Sequence, residues 1–158
     1  MFEKILIANR GEIAVRVIRA CKELNIKTVA IHSDVDSDAM HVRLADESIC
    51  VGSALPNNSY LNIPNIISAI EITGADAVHP GYGFLSENDK FADILTKHDV
   101  KFIGPSSKSI LELGNKSNAL KLANKYSLPI LGNEDAKNIN STKDAVKIAN
   151  EIGLPVVI

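Results

Sequence analysis

Short apolar runs alternate with stretches of helical periodicity along the first two-thirds of the chain. Lys4–Ala8 is an apolar run after its first residue, and residues 27–31, 48–51, 76–79 and 101–103 are further short runs rich in apolar residues. Runs without a polar alternation are typical of strands that are buried on both faces of a parallel sheet. We therefore predict five strands at these places.

Helical patterns fill the intervals between the predicted strands, over residues 12–24, 38–44, 64–73 and 87–97. The first helix is expected to bury a stripe formed by Ile13, Val17, Ala20, Cys21 and Leu24. Pro64 suits a first helical turn and Gly74 a helix end. The succession of strands and helices predicts an α/β fold with a three-layer parallel sheet.

Three capping residues are expected from short polar signatures. Asp38 is predicted to be the N-cap of the helix over residues 38–44. Ser86 and Ser141 each have an aspartate three residues later, at Asp89 and Asp144, which is the capping pattern.

The pattern changes after Ser106, where helices are predicted over 107–113, 115–126 and after Ser141. The chain ends on an apolar run at 155–158, which resembles the start of a buried strand. Because an exposed apolar strand is unfavourable at a domain edge, we expect a fragment cut early in a second domain. The predicted domains are residues 1–113 and 114–158.

Composition narrows the class of partner. The 158 residues are 46% hydrophobic and carry a net charge of -2, which gives no reason to expect nucleic acid or a membrane. Charged residues near the start argue against a signal peptide. Cys21 and Cys50 lack metal or redox spacing, so we expect small core residues in a reducing, cytoplasmic compartment.

The sequence HPGYGFLSEN, residues 79–88, follows the fourth predicted strand. Turns after the carboxyl ends of parallel strands are where ligands bind in open sheets. Gly81 and Gly83 permit a close approach or a positive φ, and Tyr82 offers a ring and a hydroxyl. The segment is therefore either a ligand-binding turn or only a sharp connection to a helix.

Other kinds of site are poorly supported by the residues. Dinucleotide binding needs three glycines in the pattern GxGxxG, and neither the first turn nor the Gly81–Gly83 turn supplies the third. Asp34, Asp36 and Asp38 begin like a calcium loop, but the required glycine and final glutamate are missing. The four histidines are far apart, so neither a metal site nor a nucleophilic triad is predicted.

Arg16, Arg19 and Glu23 lie at i, i+3 and i+7 of the first predicted helix. Spacing alone favours a solvated, partly ion-paired face over a subunit contact.

Three motifs together resemble the N-terminal region of biotin carboxylases: IANRGEIA at 7–14, SYLNIP at 59–64 and the segment at 79–88. The resemblance covers the whole chain, including FIGP at 102–105. It implies a pre-ATP-grasp, Rossmann-like domain followed by the truncated start of an ATP-grasp domain. It also implies an ATP-dependent ligase that carboxylates biotin on a carrier protein with bicarbonate and Mg²⁺ or Mn²⁺.

The resemblance gives roles to individual residues. Lys116 matches an ATP-contacting lysine, although Asn115 stands where the family often has aspartate. Tyr82 and Gly83 match positions near the biotin pocket. Arg16, Arg19 and Glu23 match positions at a homodimer interface, which reverses the interpretation from spacing. Catalytic and metal-binding residues are expected beyond Ile158.

The parent enzyme and the class of protein have alternatives. The resemblance is greatest to the biotin carboxylase subunit of acetyl-CoA carboxylase, which acts in fatty acid synthesis with carboxyltransferase subunits and a biotin carboxyl carrier protein. The same domain of a pyruvate or propionyl-CoA carboxylase is the alternative within the class. A non-catalytic α/β module for a small ligand and an NAD-dependent oxidoreductase are the alternatives outside it.

Overall fold

The computed structural model describes residues 2–130, 139, 141–153 and 155 of the chain. The chain divides into two compact units, Met1–Leu111 and Glu112–Ile158. The predicted strand at 155–158 lies outside the described residues, apart from Pro155.

The first unit is built on a five-stranded sheet in which all neighbouring strands are parallel. Its order is β3-β2-β1-β4-β5. The strands are β1 (Lys4–Ile7), β2 (Lys27–Ser33), β3 (Glu47–Gly52), β4 (Ala77–His79) and β5 (Lys101–Phe102). The five predicted strands and the α/β class are confirmed.

Helices connect the strands and continue into the second unit. They are α1 (Gly11–Glu23), α2 (Met40–Leu44), α3 (Ile63–Thr73), α4 (Asp89–Lys97), α5 (Ser107–Gly114), α6 (Lys116–Lys125) and α7 (Thr142–Ile152). Short 3-10 turns form at Asp34–Asp36 and Pro56–Asn58. Within the part of the chain that the structure describes, no helix is long and apolar enough to cross a membrane.

The two faces of the sheet pack against different helices, because successive side chains of a strand point to opposite faces. Ile5 and Ile7 share one buried cluster with Ile18 of α1. Leu6 lies in the other, with Ile66 of α3 and Phe91 of α4. The predicted three-layer arrangement is therefore confirmed.

The buried stripe of α1 differs from the predicted one. Ala14, Val15, Ile18 and Cys21 are buried, whereas Ala20 is exposed and Leu24 is 60% exposed. The helix is rich enough in apolar residues to offer two stripes about 100° apart. Only packing against the sheet selects between them.

Two of the predicted caps are wrong and one is confirmed. The N-cap of α2 is Ala39, without a side-chain cap, because the preceding aspartates form a 3-10 turn instead. Helix α4 starts later than predicted, so Asn88 rather than Ser86 caps it by accepting from the Phe91 N–H. Ser141 caps α7 as predicted.

Two further predictions concern single residues. Gly74 ends α3 in the left-handed conformation, with φ 65, as predicted. Both cysteines are free, but only Cys21 is buried. Cys50 is exposed because β3 is an edge strand.

Candidate functional site

The candidate site lies at the carboxyl edge of the sheet, where the connections that follow β1 and β4 meet. These two strands are parallel neighbours, so their ends lie side by side. A cleft of about 410 Å³ opens between the two connections. Its lining comprises Asn9, Arg10, Gly11, Glu12, Ile13, Tyr82, Gly83 and Phe84.

Asn9 joins the two connections through its side-chain amide. The side chain is buried, and its Nδ2 donates to the carbonyl oxygens of Pro80, at 2.8 Å, and Tyr82, at 2.9 Å. Its Oδ1 accepts from the Arg10 N–H at 2.9 Å. The amide thus fixes the turn that carries Tyr82 against the start of α1.

The turn after β4 has an unusual backbone. Gly81, Gly83 and Phe84 have φ of 64, 67 and 40. A Cβ at Gly81 would lie 2.6 Å from the Nδ2 of Asn9, so glycine is required there by space as well as by φ. Glycine adopts a positive φ readily, so the strain of this turn lies at Phe84, whose conformation the surrounding contacts must hold.

His79 supports the same turn from the end of β4. Its Nδ1 accepts a hydrogen bond from the Gly81 N–H at 3.0 Å, which requires that nitrogen to carry no proton. Burial lowers the pKa of His79, which favours the neutral ring that accepts this bond.

The guanidinium of Arg10 and the rings of Tyr60 and Phe84 pack together beside the cleft. The rings of Tyr60 and Phe84 are stacked with centroids 5.3 Å apart, and the Arg10 guanidinium lies 5.4 Å and 5.8 Å from them. Arg10 also approaches the Oδ2 of Asp36 at 3.5 Å. These contacts give the half-exposed arginine a defined orientation.

In the hydrogen-bonded pair of Asp36 and Tyr60, the carboxyl group is ionised and the phenol keeps its proton. The Tyr60 hydroxyl donates to the Asp36 carboxylate at 2.6 Å and accepts from the Ser33 N–H at 3.1 Å. The hydrogen bond from Tyr60, with help from Ser33 and Arg10, lowers the pKa of Asp36. Burial and the Asp36 hydrogen bond raise the pKa of Tyr60 to about 12. At neutral pH the pair is a fixed anion and a fixed hydroxyl, which suits orientation rather than proton transfer.

The residues predicted from the sequence occupy three places. Tyr82 and Gly83 line the cleft, where the Tyr82 side chain is 68% exposed. Arg16, Arg19 and Glu23 are exposed on α1. Lys116 is exposed at the first position of α6, in the second unit.

Sequence reasoning missed Asn9, Asp36 and Tyr60 as members of the site, whereas Phe84 lies within the predicted turn at 79–88. Asn9 could have been found, because it follows β1 at the same sheet edge as the predicted turn. Nothing in the local sequence indicates that Tyr60, in the connection from β3 to α3, is fully buried beside that edge. Among the described residues there is no group of three or more His, Cys, Asp or Glu side chains that could hold a metal ion.

A three-layer parallel sheet with an open cleft over its carboxyl edge defines the class of α/β proteins that bind small molecules at that edge. Residues 1–110 match the model of the family described as biotin carboxylase, N-terminal domain. The chain belongs to this family.

Relatives and solved structures are similar along the whole chain. The chain is 52% identical to biotin carboxylase of Haemophilus influenzae, over 100% of this chain and 35% of that protein. It is 55% identical to the mitochondrial propionyl-CoA carboxylase alpha chain of Caenorhabditis briggsae, over 99% of this chain and 21% of that protein. The chain thus spans about a third or less of the length of these relatives.

One similar solved structure is the biotin carboxylase domain dimer of 2-oxoglutarate carboxylase from Hydrogenobacter thermophilus, in complex with MgADP, ADP and bicarbonate. The TM-score is 0.86 at 44% identity, and the match covers 98% of this chain and 34% of that one.

Proposed function

We propose that the chain is the N-terminal part of an ATP-dependent biotin carboxylase. The observation that carries this proposal is the cleft lined by Tyr82 and Gly83 in a chain of the biotin carboxylase N-terminal family. ATP phosphorylates bicarbonate to carboxyphosphate and leaves ADP. Carboxyphosphate then releases CO₂ and phosphate, and a ureido nitrogen of biotin loses its proton and bonds to CO₂.

The cleft suits one wall of a biotin site. It presents the exposed ring of Tyr82 and the backbone of Gly83. Gly83 has φ 67, and a Cβ at this position would have open space around it, with no other atom within 4 Å. Biotin has an apolar saturated sulfur ring fused to a polar ureido ring, and such a ligand can pack its apolar part on an aromatic face while its ureido group reaches polar groups nearby. Tyr82 and Gly83 are therefore proposed to contact biotin presented by a biotin carboxyl carrier protein.

We propose that Lys116 contacts ATP. It is exposed at the start of α6, in the region 114–158 that we assign to the beginning of an ATP-grasp domain. A lysine ammonium is a compact cation suited to a phosphate oxygen. The similar carboxylase domain bound to MgADP supports a nucleotide with Mg²⁺. The described residues contain no group of three or more His, Cys, Asp or Glu side chains that could hold this ion, so we propose that other residues of the complete enzyme hold it.

The proposal is tested in the complete enzyme that contains these residues. We expect ATP hydrolysis to depend on both bicarbonate and biotin. Lys116→Gln should raise the KM for ATP about tenfold, because a charge-assisted contact to phosphate is lost. Lys121→Gln is the matched control, since Lys121 is exposed on the same helix. Equal KM values in the two variants would remove Lys116 from the nucleotide site.

Residues 1–158 alone should show no bicarbonate-dependent ATP hydrolysis. Electrostatic stabilisation of a phosphoryl intermediate requires a bound metal ion, and the described residues contain no group of three or more His, Cys, Asp or Glu side chains that could hold one. Hydrolysis by the purified chain above a no-protein blank would contradict this expectation.

We also propose that α1 forms a homodimer contact through Arg16, Arg19 and Glu23. These side chains are exposed and have no ion pair with another described residue, and Leu24 beside them is 60% exposed. A face with charges of both signs and an apolar residue can pair with a second copy of itself. The dimer of the similar carboxylase domain supports a dimer, and the choice of α1 as the contact is our proposal.

Charge reversal tests the dimer contact. Arg19→Glu should raise the dimer dissociation constant of the complete enzyme at least about tenfold, because a cation on a self-complementary face becomes a repelling anion. Lys101→Glu makes the same charge change at an exposed position of β5. Sedimentation of both variants over a range of concentrations measures the constants. Equal constants would rule out this face as the interface.

For the parent enzyme we propose acetyl-CoA carboxylase of fatty acid synthesis, acting with carboxyltransferase subunits in the cytoplasm. The similarity to a bacterial biotin carboxylase and the two free cysteines support this choice. A propionyl-CoA or pyruvate carboxylase is the second candidate, favoured by the 55% identity to a propionyl-CoA carboxylase alpha chain. The rates at which the assembled enzyme carboxylates acetyl-CoA, propionyl-CoA and pyruvate distinguish these candidates.

A further inference from the structure

We propose that Asn9 is a positioning residue for biotin, acting through Tyr82. The inference rests on the proposed function, because it assigns to Asn9 the placement of the Tyr82 ring in the biotin site. Asn9 itself follows β1 and is 2% exposed, and it reaches the turn only through its side-chain amide.

The Tyr82 ring has no anchor of its own within the described part of the chain. Its side chain is 68% exposed and makes no hydrogen bond or ring contact there. The position of the ring is therefore set by the backbone, and the Tyr82 carbonyl is held by the Nδ2 of Asn9 at 2.9 Å.

The turn needs such a restraint because it is strained. Gly81, Gly83 and Phe84 all have positive φ, and for Phe84 this conformation is unfavourable. Three contacts described above oppose relaxation: the Asn9 amide on the Pro80 and Tyr82 carbonyls, the bond from the Gly81 N–H to His79, and the stacking of Phe84 on Tyr60. The first acts directly on the residue that faces the cleft.

Only an asparagine amide satisfies all three partners in this space. Nδ2 has two protons for two carbonyl oxygens, while Oδ1 accepts from the Arg10 N–H. The isosteric aspartate would place a carboxylate oxygen against both carbonyls. The missing side chain of Gly81 provides the room, since a Cβ there would lie 2.6 Å from Nδ2.

Amide hydrogen exchange tests the restraint without reference to activity. In Asn9→Ala we expect the amides of Gly81 and Ser86, which donate to His79 Nδ1 and the Gly83 carbonyl, to exchange about tenfold faster, because two hydrogen bonds that hold this turn are lost. Asn65→Ala is the matched control: Asn65 donates one comparable bond, to the Val51 carbonyl at 2.8 Å, away from the cleft. Equal exchange of the Gly81 and Ser86 amides in both variants would overturn the inference, whatever the enzyme binds.

A double-mutant cycle in the complete enzyme tests whether Asn9 acts through Tyr82. Asn9→Ala and Tyr82→Ala should each raise the KM for free biotin about tenfold, and the double variant should match Tyr82→Ala alone. Asn9→Asp should behave as Asn9→Ala, and Asn65→Ala should leave this KM unchanged. Additive effects would overturn the inference. An unchanged KM in Tyr82→Ala would instead reject Tyr82 as a biotin contact and, with it, the function proposed for the cleft.

Discussion

Gly52→Ala should lower the free energy of unfolding by about 4 kcal/mol, which is among the largest effects expected of a single methyl group. A Cβ at this position would overlap the backbone carbonyl oxygen of Asn58, and Gly52 has φ 146. A Cβ is fixed to the backbone and the Asn58 oxygen is part of it, so no side-chain rotation can relieve the clash. The end of β3 or the Pro56–Asn58 turn must therefore move. Chemical denaturation of the purified protein measures the change.

Gly74→Ala is the matched control for backbone conformation without a clash. Gly74 also has a positive φ, at 65, but no atom lies within 4 Å of its built Cβ. We expect a loss of about 1 kcal/mol from conformation alone. If both variants lose the same stability, the close approach of Asn58 to Gly52 does not exist in solution.

The clash at Gly52 also affects the candidate site, because Asn58 lies only two residues before Tyr60 in the chain. Movement of the Pro56–Asn58 turn would displace the ring on which Phe84 and Arg10 are stacked. We therefore expect the Gly52→Ala variant to lose order at the cleft as well as global stability.

Tyr60→Ala should lower the free energy of unfolding by about 4 kcal/mol, and Tyr60→Phe by about 1.5 kcal/mol. Tyr60 is fully buried, so truncation leaves a cavity and removes the partner of Phe84. The phenylalanine variant keeps the ring but leaves the Ser33 N–H without the hydroxyl that it donates to. The difference in the free energy of unfolding between the two variants measures the contribution of the ring, and the smaller loss, in Tyr60→Phe, measures the contribution of the hydroxyl. Equal losses would contradict the stacked arrangement.

The same tyrosine gives a pH dependence of known sign. Because the pKa of Tyr60 is raised to about 12 in the folded protein, the folded state keeps a proton that the unfolded chain loses near pH 10. Its contribution to stability is fully present below about pH 10 and is lost as the pH rises to about 12. The stability difference between the natural protein and Tyr60→Phe should therefore narrow over that range. A constant difference would show that the hydroxyl titrates normally.

The cleft illustrates a general feature of sites at the edge of a parallel sheet. The residues that would touch a ligand, such as Tyr82, are exposed and weakly held, whereas the residues that fix them are buried and belong to other connections. Substitutions at Asn9 or Tyr60 are expected to change the site without removing a ligand contact. Their effects should be separated from simple loss of stability by the control variants given above.

The sequence by itself determined the order of elements, the parallel α/β class and the segment that lines the cleft. Continuous apolar runs report strands buried on both faces, and the glycines at 81 and 83 mark a backbone that only a special turn requires. These signals are local, so they can be recognised in the sequence without knowledge of the fold.

Tertiary structure alone decided which stripe of α1 is buried and which polar residue caps α4. It also decided that Asn9 and Tyr60 contact the turn after β4, and that Asp36 accepts a hydrogen bond from Tyr60. Those outcomes depend on contacts between residues distant in the chain, whose energies the local sequence does not encode.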